Sequence, residues 1–302
     1  MKFGKIHDIG QVDFSLPDEP ESNKTFLSTN LAAVEGDQLL LGCPVWADKS
    51  FIGKIYPQGS KSQDFLKFYG QSFRSVELNS TYYALPSTKT INEWKAKVPK
   101  DFKFCPKVPQ DIANEKTLCF GKPEVREFFS RMSEFGPNLG PILLQLGPYF
   151  RLERWKYLVR FIRSVPKSMT LAIEFRHPDW FDPSNFNKLI GHLRSFGVIF
   201  VITDVAGRRD VCHLALTSNQ SMIRFTGNGL DKTDFERVKV WANMLSRWCD
   251  LGLTETYFFI HQPVEGDCVD TAIDFVKCFE AISNKKLSGP KRLKETGQMG
   301  LF

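Results

Sequence analysis

The segment Ala172-Ile173-Glu174-Phe175-Arg176-His177-Pro178-Asp179-Trp180 runs from an apolar stretch directly into a carboxylate, a guanidinium and an imidazole. A cation beside Glu174 would hold it ionised, whereas burial would raise its pKa towards proton transfer. Similar groups stand at the ends of other short apolar runs. Trp46 follows the first run, Glu77, Asn79 and Tyr82 close the second, and Lys107 follows the third. Gln145 ends the fourth, and Asp204, Arg224 and His261 close the last three. The chemistry implied is acid/base catalysis by Glu174 and Asp204, with Glu77 in reserve. Lys107, Arg176 and Arg224 would clamp an anionic group such as a phosphate, and Trp46, Asn79, Tyr82, Gln145, His177 and His261 would complete the ligand site.

Each residue also has a plainer reading. Glu174 and one Arg could form a buried ion pair that sets the strand register. A metal set of His177, His261, Glu174 and Asp204 is conceivable, but with five His in the chain and no His-Glu-x-x-His spacing no metal is assigned. No cofactor is identified either. Cys43 reads as a small core residue rather than a nucleophile, and no Gly-x-Ser-x-Gly elbow is present.

The elements that would position these groups are short apolar runs alternating with amphipathic stretches, the pattern of repeated βα units. Strands are expected at 39–42, 75–78, 102–106, 142–146, 170–174, 198–203, 222–225 and 256–260. Most are continuously apolar, as parallel strands buried on both faces require. Leu152, Trp155, Leu158, Val159, Ile162 and Val165 share one helical face, as do Val238, Trp241, Leu245 and Trp248. Ser87 and Ser184 read as N-caps of helices over 88–98 and 185–196. This predicts an α/β fold, a single (β/α)8 TIM barrel over 38–284 whose strand ends share one mouth. A doubly wound open sheet would give the same local pattern, but no Gly-x-Gly-x-x-Gly or P-loop follows any strand. Residues 1–37 read as an arm lying on the domain, and 285–302 as a flexible basic linker with a terminal peptide.

With 42% apolar and 13% aromatic residues, the chain has ample material for one core, and its 27 Phe and six Trp are spread throughout. A net charge of +6, from 40 basic and 34 acidic residues, is too mild to identify a nucleic-acid protein. Seven Cys without a Cys-x-x-Cys pair fit neither a complete disulfide framework nor a zinc ribbon, so reduced, mostly buried thiols are expected. No signal-peptide core and no run near the roughly 18 apolar residues of a membrane span occurs, which predicts a soluble, cytoplasmic protein.

Over about residues 40–282 the chain resembles the domain of unknown function 72 family, the YecE-like proteins. The resemblance rests on Gly42 and Trp46 with Gly53, Tyr56 and Pro57, and on Val76-Glu77-Leu78-Asn79-Ser80-Thr81-Tyr82-Tyr83 leading to Pro86. It continues through Phe104 and Lys107, Gly140 to Leu146, and Glu174-Phe175-Arg176-His177 with Trp180. It implies a TIM-barrel fold but lends no catalytic roles. Separately, Gln298-Met299-Gly300-Leu301-Phe302 is similar to the Gln-x-x-Leu-Phe peptides that dock bacterial proteins on the sliding clamp. Leu301 and Phe302 would fill an apolar pocket while Gln298 bonds its rim.

The leading expectation is therefore an enzyme, with hydrolase the class considered, acting on a phosphorylated or sugar-containing substrate and brought to DNA by the clamp peptide for nucleic-acid processing or repair. One alternative is a metabolic sugar or sugar-phosphate hydrolase using paired carboxylates and unrelated to DNA. The other is a non-catalytic protein that holds a ligand in the mouth.

Overall fold

In the computed structural model of the chain, the residues described are 4, 6, 8–29 and 39–293. The apolar runs form nine strands: β1 (Leu39–Cys43), β2 (Ser75–Leu78), β3 (Lys103–Pro106), β4 (Ile142–Gln145), β5 (Leu171–Glu174), β6 (Ile199–Phe200), β7 (Ile202–Asp204), β8 (Gln220–Thr226) and β9 (Glu255–His261). Between and around them lie α1 (Ser22–Ser28), α2 (Phe65–Ser72), α3 (Thr88–Lys95), α4 (Gln110–Ala113), α5 (Pro123–Ser133), α6 (Trp155–Ser164), α7 (Pro183–Phe196), α8 (Lys232–Asp250) and α9 (Asp267–Ser283). The strand ladders are parallel, as their two-sided burial demands.

The ladders fall into two sheets, six strands in the order β3-β2-β1-β9-β8-β7 and three in the order β4-β5-β6. The expected continuous eight-stranded barrel is thus not what the ladders form. The expected sixth strand is divided at Val201, whose N–H donates to the Ile173 carbonyl at 2.9 Å. Its first half pairs with β5 and its second with β8. At the other junction β3 and β4 meet only through isolated bridges, Phe104 with Leu139 and Lys107 with Leu143. Where β1 approaches β2, a Cβ on Gly42 would lie 2.5 Å from the Ser75 carbonyl oxygen, so only glycine fits there.

Side-chain alternation divides the core. Leu40, Cys105, Leu143, Ala172, Met222 and Tyr257, drawn from both sheets, belong to one buried cluster. A larger cluster lies against the helices and takes in Leu158, Phe161 and Ile162 of α6, and Val238, Trp241, Leu245 and Trp248 of α8. Each such side chain contributes about 1.5–3 kcal/mol on burial. All seven Cys are free thiols and six are buried.

Helix boundaries follow the local chemistry. The Ser87 hydroxyl accepts from the Thr90 N–H at 3.1 Å, capping α3. That helix stops at Lys95 rather than Val98: the Lys97 N–H turns to the Trp94 carbonyl at 3.0 Å, an i to i−3 bond, and Pro99 excludes helical backbone from Val98. α7 is capped by Asp182, not Ser184: the carboxylate accepts from the Ser184 N–H at 2.9 Å and Pro183 supplies the first helical position. In the N-terminal segment, the unexpected α1 buries Asn23, which donates to the Leu214 carbonyl at 2.6 Å and accepts from the Leu216 N–H at 3.0 Å. Glu19 accepts from the Trp248 indole at 2.7 Å, and Phe14 lies 4.7 Å from the Arg237 guanidinium. No helix among the described residues is long and apolar enough to cross a membrane.

Candidate active site at the strand ends

β2, β5 and β8 each carry, at or near the C-terminal end, a charged residue directed at the others: Glu77, Glu174 and Arg224. Arg224 donates from Nε and Nη2 to the two oxygens of Glu77 at 2.8 and 2.9 Å, and from Nη1 to Glu174 at 2.6 Å. All three side chains are buried. Arg176 donates to the other oxygen of Glu174 at 2.6 Å, and the Gln145 amide donates to Glu174 Oε2 at 2.8 Å. Asn79 donates to Glu77 at 3.1 Å, and His261 Nε2 lies 3.1 Å from Glu77 Oε2. Every carboxylate oxygen of the pair is thereby satisfied, as buried charge requires.

This arrangement fixes protonation. Burial raises both carboxyl pKa values, but their partners overcome it: Glu77, beside the Arg224 guanidinium and hydrogen-bonded to His261, stays well below the usual carboxylate range. Glu174, between Arg176 and Arg224, falls to about 2. An ionised Glu77 can only accept, so His261 Nε2 must carry the hydrogen between them and Nδ1 holds the lone pair. Burial lowers the His261 pKa more than Glu77 restores it, which keeps the ring neutral.

Beside the triad opens a cleft of about 510 Å³. Its lining combines the polar Asn79, Lys107, Gln145, His261 and Glu265 with the aromatic Trp46, Trp94 and Tyr83. Trp46 and Trp94 meet edge to face at 5.3 Å, and the Tyr56 hydroxyl donates to the Trp46 carbonyl at 2.8 Å. The Lys107 ammonium donates to Gln145 Oε1 at 2.8 Å and stands 4.2 Å from the centre of the Tyr82 ring. Burial, reinforced by Arg224, lowers its pKa to about 8. Glu265 on the loop after β9 has one enclosed oxygen without a hydrogen-bond partner among the described residues. Burial, with Asp48 next in effect, raises its pKa.

Of the residues singled out from sequence, Trp46, Asn79, Lys107, Gln145 and His261 thus line one cleft, with Tyr82 beneath Lys107. Glu77, Glu174, Arg176 and Arg224 form the charged layer that these groups touch. Asp204 stands apart. It receives Arg237, Arg209 and the Trp241 indole, the last at 2.7 Å, and Arg237 also reaches Asp234 at 3.4 Å, tying α8 to the strand ends. His177 turns away as a cap, its Nδ1 accepting from the Asp179 N–H at 3.2 Å. The four residues weighed as a metal set do not converge, and no group of three metal-ligating side chains occurs among the described residues. Gln298, Leu301 and Phe302 lie outside the described residues. Sequence reasoning missed Glu265 and Trp94, which come from a loop and from α3 rather than from strand ends.

The family model described as "Protein of unknown function DUF72" matches residues 40–295, which takes in every strand end described above. The chain belongs to this family. The UPF0759 protein YecE of Escherichia coli K12 is 30% identical over 244 residues, covering 74% of this chain and 86% of that protein. The UPF0759 protein YunF of Bacillus subtilis 168 is 24% identical over 201 residues, covering 63% of this chain and 70% of that protein. Among solved structures, a DUF72 family protein from Enterococcus faecalis V583 superposes with a TM-score of 0.63 at 17% identity, covering 83% of this chain and 99% of that chain. A second structure of it gives 0.61 at 18% identity, and the likeness establishes a shared fold.

Proposed function

We propose that the cleft is the active site of an enzyme acting on a phosphorylated or sugar-containing substrate, at the mouth of a (β/α)8 barrel formed jointly by the two sheets. The barrel reading is supported by the inner cluster shared by both sheets and by the bridges between β3 and β4. One observation carries the functional reading. The buried carboxylates are saturated and ionised, while the groups lining the cleft, Lys107 and His261, are those whose protonation suits chemistry near neutral pH.

In this reading neither Glu174, expected from sequence to share acid/base work with Asp204, nor Glu77, held in reserve, does that work; with Arg224 they hold the layer beneath the cleft. His261, its tautomer set by Glu77, is the base through Nδ1. Lys107 is the acid and holds the anionic group, and the aromatic residues of the cleft take the flat or apolar face of a ring. Asp204 is assigned to anchoring α8. The test is thermal stabilisation by a panel of sugar phosphates and nucleotides, compared between wild type, Lys107→Met and His261→Gln. A compound should stabilise wild type and His261→Gln but not Lys107→Met, and only wild type should turn it over. Stabilisation that ignores Lys107→Met, or none by any compound, overturns the reading.

A second proposal concerns a partner. The match of Gln298, Leu301 and Phe302 to the Gln-x-x-Leu-Phe pattern supports docking on a bacterial sliding clamp, which would bring the enzyme to DNA.

A further inference from the structure

A strip of aromatic and basic side chains leaves the cleft and continues along α6. Tyr83 at the cleft is 74% exposed. Its neighbour Tyr82 accepts from the Asn114 amide at 3.2 Å, and Asn114 accepts from the Tyr149 hydroxyl at 2.7 Å. Tyr149 is 45% exposed. Gly147 makes room for it, since a Cβ there would lie 2.5 Å from the Tyr149 ring. The Arg154 guanidinium stands 5.9 Å from that ring at the start of α6. On α6 itself Lys156 and Arg160 stand one turn apart on one face; Lys156 lies 5.0 Å from Tyr157, and Arg160 lies 5.5 Å from Phe120, which is 48% exposed. Arg154 to Arg160 spans about 9 Å of helix.

Arg154, Lys156, Arg160 and Arg163 make no ion pair with the described residues. Three exposed cations on one helix, Lys156, Arg160 and Arg163, with the half-buried Arg154 at its N-terminal end, give a basic surface suited to an anionic partner. The interleaved rings add a requirement that an acidic peptide does not meet: flat faces able to stack. Bases stack on aromatic faces while the phosphates follow the cations, which is how strands are held without sequence preference. In a duplex the base faces are already stacked on one another.

We propose that this strip binds single-stranded nucleic acid and leads it to the cleft; the direction towards the cleft rests on the functional reading above, whereas the binding itself does not. Phosphates engage Arg154, Lys156 and Arg160, and bases stack on Tyr149 and Phe120.

The experiment is fluorescence anisotropy of a labelled oligothymidylate of about 12 nucleotides at about 50 and 200 mM salt. Wild type is expected to bind at low salt and to weaken as salt rises, with duplex of the same length binding less tightly. Lys156→Ala/Arg160→Ala should weaken binding at least about tenfold and lower the slope of log affinity against log salt by about 0.7 per cation removed. Tyr149→Ala and Phe120→Ala should each cost on the order of tenfold with the slope unchanged. These positions are exposed, and unchanged melting temperatures would show intact folding. No binding at low salt overturns the proposal. So does binding that ignores the aromatic substitutions, or that a polyglutamate peptide displaces as well as unlabelled strand does. Small-ligand stabilisation lost in Lys107→Met but kept in the strip variants shows that the cleft reading stands or falls separately.

Discussion

Arg224 and Glu77, 147 residues apart in the chain, meet through two side-by-side hydrogen bonds of 2.8 and 2.9 Å between the ends of β8 and β2. The guanidinium has donors in a planar fork, and here the remaining terminal nitrogen reaches Glu174 on β5. One side chain thus fixes three strand ends, and the cleft groups take their positions from the two carboxylates. Gln145 bridges Glu174 to Lys107, while Glu77 sets the tautomer of His261.

Removing Arg224 should therefore be severe. Arg224→Met leaves two buried carboxylates facing each other, and about 3–5 kcal/mol of stability is expected to be lost. Arg224→Lys should rescue little, because a single ammonium cannot span both carboxylates with the same geometry. Arg224→Met/Glu77→Gln/Glu174→Gln should recover part of the loss. Urea denaturation of the three variants checks the order, and a triple variant no more stable than Arg224→Met would remove the charge argument.

Which parts of this were legible in sequence follows from the range of the interactions. The strands were readable because buried parallel strands are apolar throughout and bounded by polar residues; seven of the eight expected runs overlap one observed strand each. The remaining run, the sixth, is split because Val201 bonds to β5 while the residues after it turn to β8, a switch with no local signature. The strand-end positions of Lys107, Gln145 and His261 were likewise readable. Pairing was not: Glu174 looked equally suited to proton transfer and to an ion pair until Arg224 was placed beside it from 50 residues away. The seven-residue α1 escaped notice because so short a helix depends on tertiary contacts such as those of Asn23.

If Lys107 holds an anion as its ammonium, affinity should depend on pH in one direction. Burial and Arg224 lower its pKa to about 8, so the ammonium predominates below that pH and is lost above it. The affinity of wild type for any stabilising sugar phosphate should be nearly constant from about pH 6.5 to 7.5, above the phosphate's own titration, and then fall towards tenfold per unit above pH 8. Titration calorimetry across this range checks it, with Lys107→Met as the flat, weak reference. Affinity that rises above pH 8 would assign the neutral amine instead.

Clamp docking predicts a dependence confined to a few side chains. Full-length protein should bind an immobilised bacterial sliding clamp, and Leu301→Ala/Phe302→Ala should abolish binding, because these apolar anchors supply most of the affinity in such short peptides. Gln298→Ala should weaken it less. A double variant that binds as tightly as wild type would rule the peptide out as the docking element.

His213 predicts acid sensitivity away from the cleft. Its ring is buried between two backbone contacts: Nδ1 accepts from the Ala215 N–H at 3.1 Å, so Nε2 donates to the Val201 carbonyl, also at 3.1 Å. The ring packs 3.7 Å from Phe200, and burial drives its pKa down to about 3. The unfolded chain, with an ordinary His pKa near 6.5, binds the proton first. The stabilising contribution is therefore complete above about pH 6.5 and declines as pH falls towards 3, by up to about 1.4 kcal/mol per unit. His213→Gln, with an amide donor and acceptor but no titration, should be less stable than wild type at pH 7 and lose less on going to pH 5. Chemical denaturation at the two pH values measures the difference, and parallel losses in both proteins would show that His213 does not set the acid limit.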